Sequence, residues 1–200
     1  MYTDSNGFDP KPWMIIGSFV LIMAGAVLIY TPVGGILVTM GATSLFGGLF
    51  SESSGGKFES GWVGGLISGT FLGIGSVVGS TLMFVAANTE GLAALGYLVA
   101  SIASSFGISA IGGGFGDFVT QAMNKGINQL NWDEIYYHTA FTGTLGLMSS
   151  MIPQGKLVYP LGRVWAVGFC IAGELIIDAI SSFFEAIGSQ KADLPRPIFV

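Results

Sequence analysis

WMIIGSFVLIMAGAVLIYTPVGGILVTMGATSLFGGLF, residues 13–50, carries no charged side chain. It is too long for one crossing of a bilayer, whose hydrocarbon core takes roughly 20 helical residues. Thr31-Pro32 divides it. Proline disfavours helix at the residue before it and is tolerated at a first helical position. The stretch therefore reads as two helices, Trp13–Tyr30 and Pro32–Phe50, each close to spanning length.

The same pattern continues outward. SESSGGKFES, residues 51–60, is a polar loop, and a third apolar helix is expected from Trp62 to about Ala87. Asn88-Thr-Glu-Gly91 breaks the chain before a fourth helix to about Gly116, where Gly107 and Gly112-Gly113-Gly114 are expected to unwind it. DFVTQAMNKGINQLN, residues 117–131, places Phe118, Ala122, Met123 and Ile127 near helical spacing among polar residues, as in a short amphipathic helix, interfacial or packed on the bundle. Another helix should start at Trp132 and end near Met151, too polar at its start to span comfortably. Pro153, Gly155 and Pro160 interrupt the chain before a last long helix over Leu161–Ile187. The expected organisation is a polar tail (1–12), glycine-rich transmembrane helices (13–116), an amphipathic connecting region (117–160), a last membrane helix (161–188) and a C-terminal tail (189–200). The fold class is all-α, a multi-helix transmembrane bundle of about five spans with glycine-zipper packing.

Composition agrees. Of 200 residues, 51% are hydrophobic and 10% charged, and the mean hydropathy is +0.70. Ordinary soluble domains carry about 25% charged residues, so this surface suits lipid better than water. The net charge is −5 with no basic cluster, which argues against nucleic acid and gives no polybasic anchor for anionic lipid. The N-terminus, residues 1–12, is polar and acidic, unlike a cleavable signal peptide. The single cysteine, Cys170, excludes an internal disulfide and a cysteine-based metal site and reads as a packing residue. With five spans, Lys11, Lys57, Lys125, Lys156 and Arg163 share one side, against Lys191 and Arg196 on the other. By the positive-inside rule this bias puts the N-terminus in the cytoplasm.

The chain has 32 glycines, about twice ordinary usage. In water a mid-helix glycine costs roughly 0.5–1 kcal/mol relative to alanine, and close approach of helix backbones in a membrane is a compensating gain. Gly65, Gly69 and Gly73 form GxxxGxxxG, one stripe of a helix. Gly17/Gly25, Gly34/Ala42 and Ser105/Ser109/Gly113 are similar, although a glycine-rich chain also produces such spacings by chance. A loose repeat accompanies them: a glycine-rich helix, a polar linker, a tryptophan, then small residues seven and eleven places later. These are Trp62, Gly69 and Gly73 in one copy and Trp132, Thr139 and Gly143 in the other.

The second copy, GGGFGDFVTQAMNKGINQLNWDEIYYHTAFTGTLG, resembles the glycine-zipper segments of bacterial polymorphic toxins of the Rhs and LXG kinds. The matching features are Gly112–Gly116, Asp117, Gln121, Asn131-Trp132 and Gly143/Gly146. Pro32–Gly48 has a similar flavour, and the likeness covers about half of the chain. It departs from the toxins in having no repeat-rich delivery region before it and no charged catalytic domain after it. The resemblance implies insertion into a membrane, as a pore or as a route for a C-terminal warhead, with a bacterial cytoplasmic membrane as the location; whether an immunity or delivery protein partners it stays open.

Glu174 and Asp178 lie one turn apart in the last apolar helix, with Glu185 two turns further on. A charge at the bilayer centre costs at least about 2.5–3.5 kcal/mol on insertion scales. These acids are therefore either pore-lining or the wet face of an amphipathic helix. Trp13, Trp62, Trp132 and Trp165 stand near helix starts, as interfacial anchors would. Gly65, Gly69, Gly73, Gly112, Gly116 and Gly143 are the expected helix-packing positions. His138, the only histidine, has no second histidine or cysteine to complete a zinc site and reads as structural or interfacial. No phosphate loop or nucleophile elbow is present. No catalytic residue, metal or cofactor is therefore expected, and the chain reads as no enzyme. The leading function is a self-associating, homo-oligomeric pore former acting on a lipid bilayer. The alternatives are a non-conducting scaffold and, third, a channel or transporter subunit.

Overall fold

The computed structural model describes residues 10–151 and residue 172. Its elements are α1 (Lys11–Val27), α2 (Pro32–Ser53), α3 (Phe58–Ala87), α4 (Gly91–Lys125), a single 3-10 turn at Ile127–Gln129, and α5 (Trp132–Ser150). All regular elements among the described residues are helical.

Local chemistry sets several boundaries. Thr31 is extended, its hydroxyl accepts from the Gly34 N–H at 3.2 Å, and Pro32 occupies the first turn of α2, where its missing N–H costs nothing. Asn131 caps α5 by accepting from the Glu134 N–H at 3.4 Å, and Asp133 and Glu134 fall in the first turn, favourable to the helix dipole. Gly126, at φ +85°, ends α4 in a backbone conformation that side-chain-bearing residues rarely adopt.

Two expectations about the fourth helix are overturned. It does not unwind at Gly107 or Gly112–Gly114, and Asp117–Asn131 is not a separate amphipathic helix: α4 continues to Lys125. Most of these glycines face neighbouring helices. A Cβ on Gly112 would meet Phe71 of α3, on Gly113 and Gly114 it would meet Thr142 and Thr139 of α5, and on Gly116 it would meet the Gly64 carbonyl of α3 at 2.6 Å. Packing on both sides offsets their low intrinsic propensity. At about 1.5 Å per residue, α4 is roughly 50 Å long, longer than the ~30 Å hydrocarbon core. A crossing of that core would leave its polar last turns outside.

Consecutive helices run antiparallel. Ser18 pairs with Ser44 across α1 and α2, Gly47 abuts Gly61 across α2 and α3, Gly64 abuts Gly116 across α3 and α4, and Ser105 bonds Ser150 across α4 and α5. The start of α1, the α2–α3 loop and the α4–α5 connection consequently gather at one end, where Lys11 Nζ donates to both Glu52 oxygens (2.5 and 2.6 Å). Both copies of the loose repeat are helical hairpins with tryptophan near the start of the second helix.

The interior is built of small and hydroxylated residues. Leu72 is fully buried against Leu145 and Phe141, but most other buried side chains are Ser18, Ser44, Ser101, Ser105, Thr39, Thr43, Thr142 and their kind. Their hydroxyls bond helix carbonyls: Thr43 donates to the Gly65 carbonyl and Ser101 to the Gly79 carbonyl, both at 2.7 Å. The large apolar residues lie outside, with Val27 76% and Leu92 85% exposed. This distribution is inverted relative to a water-soluble domain and suits a lipid surround. Three helices, α2, α3 and α4, are long and apolar enough to cross a membrane, while α1 is a shorter apolar helix.

Candidate functional site

At the gathered end, the last turns of α2 and α4 and the first turns of α3 and α5 enclose a cavity of about 250 Å³. Its framework is a polar clamp centred on Asn124 of α4. The Asn124 Oδ1 accepts from the Lys57 N–H (2.8 Å) and the Ser60 hydroxyl (2.6 Å), and its Nδ2 donates to Ser51 Oγ (3.1 Å). One side chain thereby fixes the α2–α3 loop to the end of α4. Gly56 allows the approach: a Cβ there would stand 2.6 Å from the Asn124 amide.

A second cluster joins α4 to α5. Gln121 is buried, its Oε1 accepts from the Asn131 N–H at 2.7 Å, and its Nε2 donates to Asp117 Oδ2 (2.8 Å) and Glu134 Oε2 (3.1 Å). The backbone donor fixes the amide's orientation, so the NH₂ must face the two carboxylates. His138, one turn after Glu134, completes the group: one donor atom each from Asp117, Glu134 and His138 lie within 4.8 Å of one another. All three border the cavity, as does Lys125. Burial pushes the His138 imidazole below its ordinary value of 6.5, and the Glu134 carboxylate partly opposes that shift. α5 lies outside the three helices with the length and hydropathy of a span.

Sequence reasoning took His138 as structural or interfacial and considered only histidine and cysteine as its companions. Asp117 and Gln121 entered through the toxin resemblance, and Glu134 was missed. The available signal was the pair of four-residue spacings, Asp117/Gln121 and Glu134/His138, each placing two polar side chains on one helical face.

The packing positions fall on three different interfaces. Gly65, Gly69 and Gly73 face α2: a Cβ on Gly65 would meet the Thr43 carbonyl, on Gly69 the Thr39 carbonyl at 2.8 Å, and on Gly73 the Ile36 Cα at 2.9 Å. Gly112 and Gly116 face α3, and Gly143 faces Phe106 and Ala110 of α4. Trp13 and Trp132 are 63% and 55% exposed at the gathered end. Trp62 begins α3 at the same end but spends its indole N–H inside, on Ser18 Oγ (2.8 Å) and the Met14 carbonyl (3.1 Å) of α1. Trp165, Glu174, Asp178 and Glu185 lie outside the described residues.

No family model matches the chain, and no similar curated protein or solved structure was found. Fold and site together define an all-helical class of chain, over its described residues, with three helices able by length and composition to cross a membrane and a polar cavity where four helix ends meet.

Proposed function

We propose that the chain is a multi-pass helical protein of the bacterial cytoplasmic membrane that inserts and permeabilises the bilayer, as a toxin-like pore former does. The observation that carries this reading is the inverted bundle: large apolar residues outside, a seam of serine and threonine hydroxyls inside. Such a seam gives water and ions polar partners once the helices part, at little cost to the lipid-facing surface. The resemblance to the glycine-zipper segments of polymorphic toxins adds to it. About five spans, the N-terminus in the cytoplasm, and acids in the last span complete the proposal. Lys11, Lys57 and Lys125, all at the gathered end, favour that orientation.

Self-association uses a different surface from the 65–73 stripe, which is filled by α2. The outer face of α4 repeats small residues at Gly96, Ala100, Ala103 and Gly107. Among the described residues, a Cβ on Gly96 or Gly107 would meet nothing within 4 Å.

A non-conducting scaffold is the second reading. The Gly47–Gly61 and Gly64–Gly116 backbone contacts favour it, because they press α3 against both neighbours. Membrane potential in bacteria induced to make the chain separates the two. Rapid depolarisation, absent with Gly107→Leu on the self-association face and with Glu174→Ala plus Asp178→Ala, each still abundant in the membrane, supports a pore. An unchanged potential with the protein abundant in the membrane refutes the pore and leaves the scaffold.

A further inference from the structure

The Asp117–Glu134–His138 cluster brings two carboxylates and one imidazole within 4.8 Å of one another in the cavity wall. Hydroxyls and glycines supply the other helix contacts, whereas here two helices each bring a carboxylate to one place. The cluster is also held in advance of any ligand. Gln121, itself fixed by the Asn131 N–H, binds one oxygen of each carboxylate and so orients both. This is the arrangement by which outer hydrogen bonds set the geometry of metal ligands.

We propose that Asp117, Glu134 and His138 bind one divalent transition-metal ion, with Zn²⁺ the best fit, in the wall of the polar cavity. One imidazole nitrogen with two carboxylate oxygens suits such an ion better than Mg²⁺ or Ca²⁺, which take oxygen donors. Around a tetrahedral Zn²⁺, neighbouring donors stand about 3.3 Å apart. The present donors lie within 4.8 Å, so the widest gap closes by about 1.5 Å, within reach of side-chain rotation on a fixed backbone. The fourth position faces a cavity of about 250 Å³, room for several waters at roughly 30 Å³ each. An ion there ties the end of α4 to the start of α5 across the Ile127–Gln129 turn. The site is independent of whether the bundle conducts.

Because His138 is the only histidine, one labelled imidazole reports on the site without ambiguity. The full chain, carrying ¹⁵N-histidine and held in detergent micelles, is titrated with Zn²⁺ while the imidazole resonances are followed. The expected result is a shift of the ring nitrogens that saturates at one equivalent. Asp117→Asn and Glu134→Gln, whose helical circular dichroism confirms folding, should each weaken binding by at least about tenfold. An imidazole that does not move up to millimolar Zn²⁺, including when Zn²⁺ binds elsewhere on the chain, overturns the proposal. So does an unchanged affinity in the Asp117→Asn plus Glu134→Gln chain. The wild-type titration keeps the proposal falsifiable if a variant fails to fold.

Discussion

Substituting Gly69 by alanine places a methyl group between two helix backbones. The added Cβ would meet the Thr43 hydroxyl, the Thr39 carbonyl at 2.8 Å and the Met40 Cα at 3.1 Å. Two of these three atoms belong to the α2 backbone and cannot rotate away. Restoring ordinary contact of about 3.4 Å or more means moving α3 off α2 by roughly half an ångström, and overpacking of this kind costs about 1–3 kcal/mol. The same shift strains the Thr43 hydroxyl's bond to the Gly65 carbonyl, now 2.7 Å, worth about 1 kcal/mol. Against this stands a gain in helix propensity of about 0.5–1 kcal/mol. The net expectation is a loss of about 1–3 kcal/mol. Gly17→Ala, inside α1, is the matched control: its Cβ meets nothing within 4 Å, so only the propensity gain of up to about 1 kcal/mol remains. Both are read by reversible unfolding of the purified chain in mixed micelles with increasing sodium dodecyl sulfate, followed by circular dichroism. Opposite signs are required. If Gly69→Ala unfolds no more readily than Gly17→Ala, the α2–α3 backbone contact does not limit stability and the reasoning fails.

Other residues offer independent checks. Ser109 Oγ is the one buried side-chain polar atom without a hydrogen-bond partner among the described residues, so Ser109→Ala should be neutral or stabilising by up to about 1 kcal/mol, whereas Ser101→Ala should destabilise by about that amount. The same unfolding assay compares them. Trp62→Phe removes the donor to Ser18 and Met14 and should speed hydrogen exchange of α1 amides while leaving α4 unchanged; equal protection throughout would show that the indole does not hold α1. In metal-free protein, His138 should titrate below 6.5, because burial disfavours the imidazolium. The unfolded chain therefore takes up the proton first as pH falls, and stability present above about pH 6.5 declines as the pH drops below it. The histidine resonance gives the titration directly, and the stability slope should vanish in His138→Phe.

Local chemistry was enough to place several boundaries. Thr31-Pro32 separates α1 from α2, Asn88-Thr-Glu90 falls between α3 and α4, and Asn131-Trp132 opens α5, because caps, proline and charge breaks act over a few residues. The membrane-like character followed from the charge-free run of residues 13–50 and three long apolar segments, since hydropathy is additive along the chain. Other features depended on neighbours in space. Gly112–Gly116 reads as a helix breaker in isolation, yet α3 and α5 pack on both sides of it and hold α4 straight through to Lys125. The Gly65/Gly69/Gly73 stripe was visible as a periodicity, but a periodicity names no partner; only the antiparallel α2–α3 hairpin shows that Thr39 and Thr43 fill it. The Asp117, Glu134 and His138 donors come from helices joined by the Ile127–Gln129 turn. The sequence by itself determined which segments are helical and apolar, through local propensity and hydropathy. The tertiary structure alone decided which small faces meet, and which three polar side chains share a cavity, because both are set by how helices close in space.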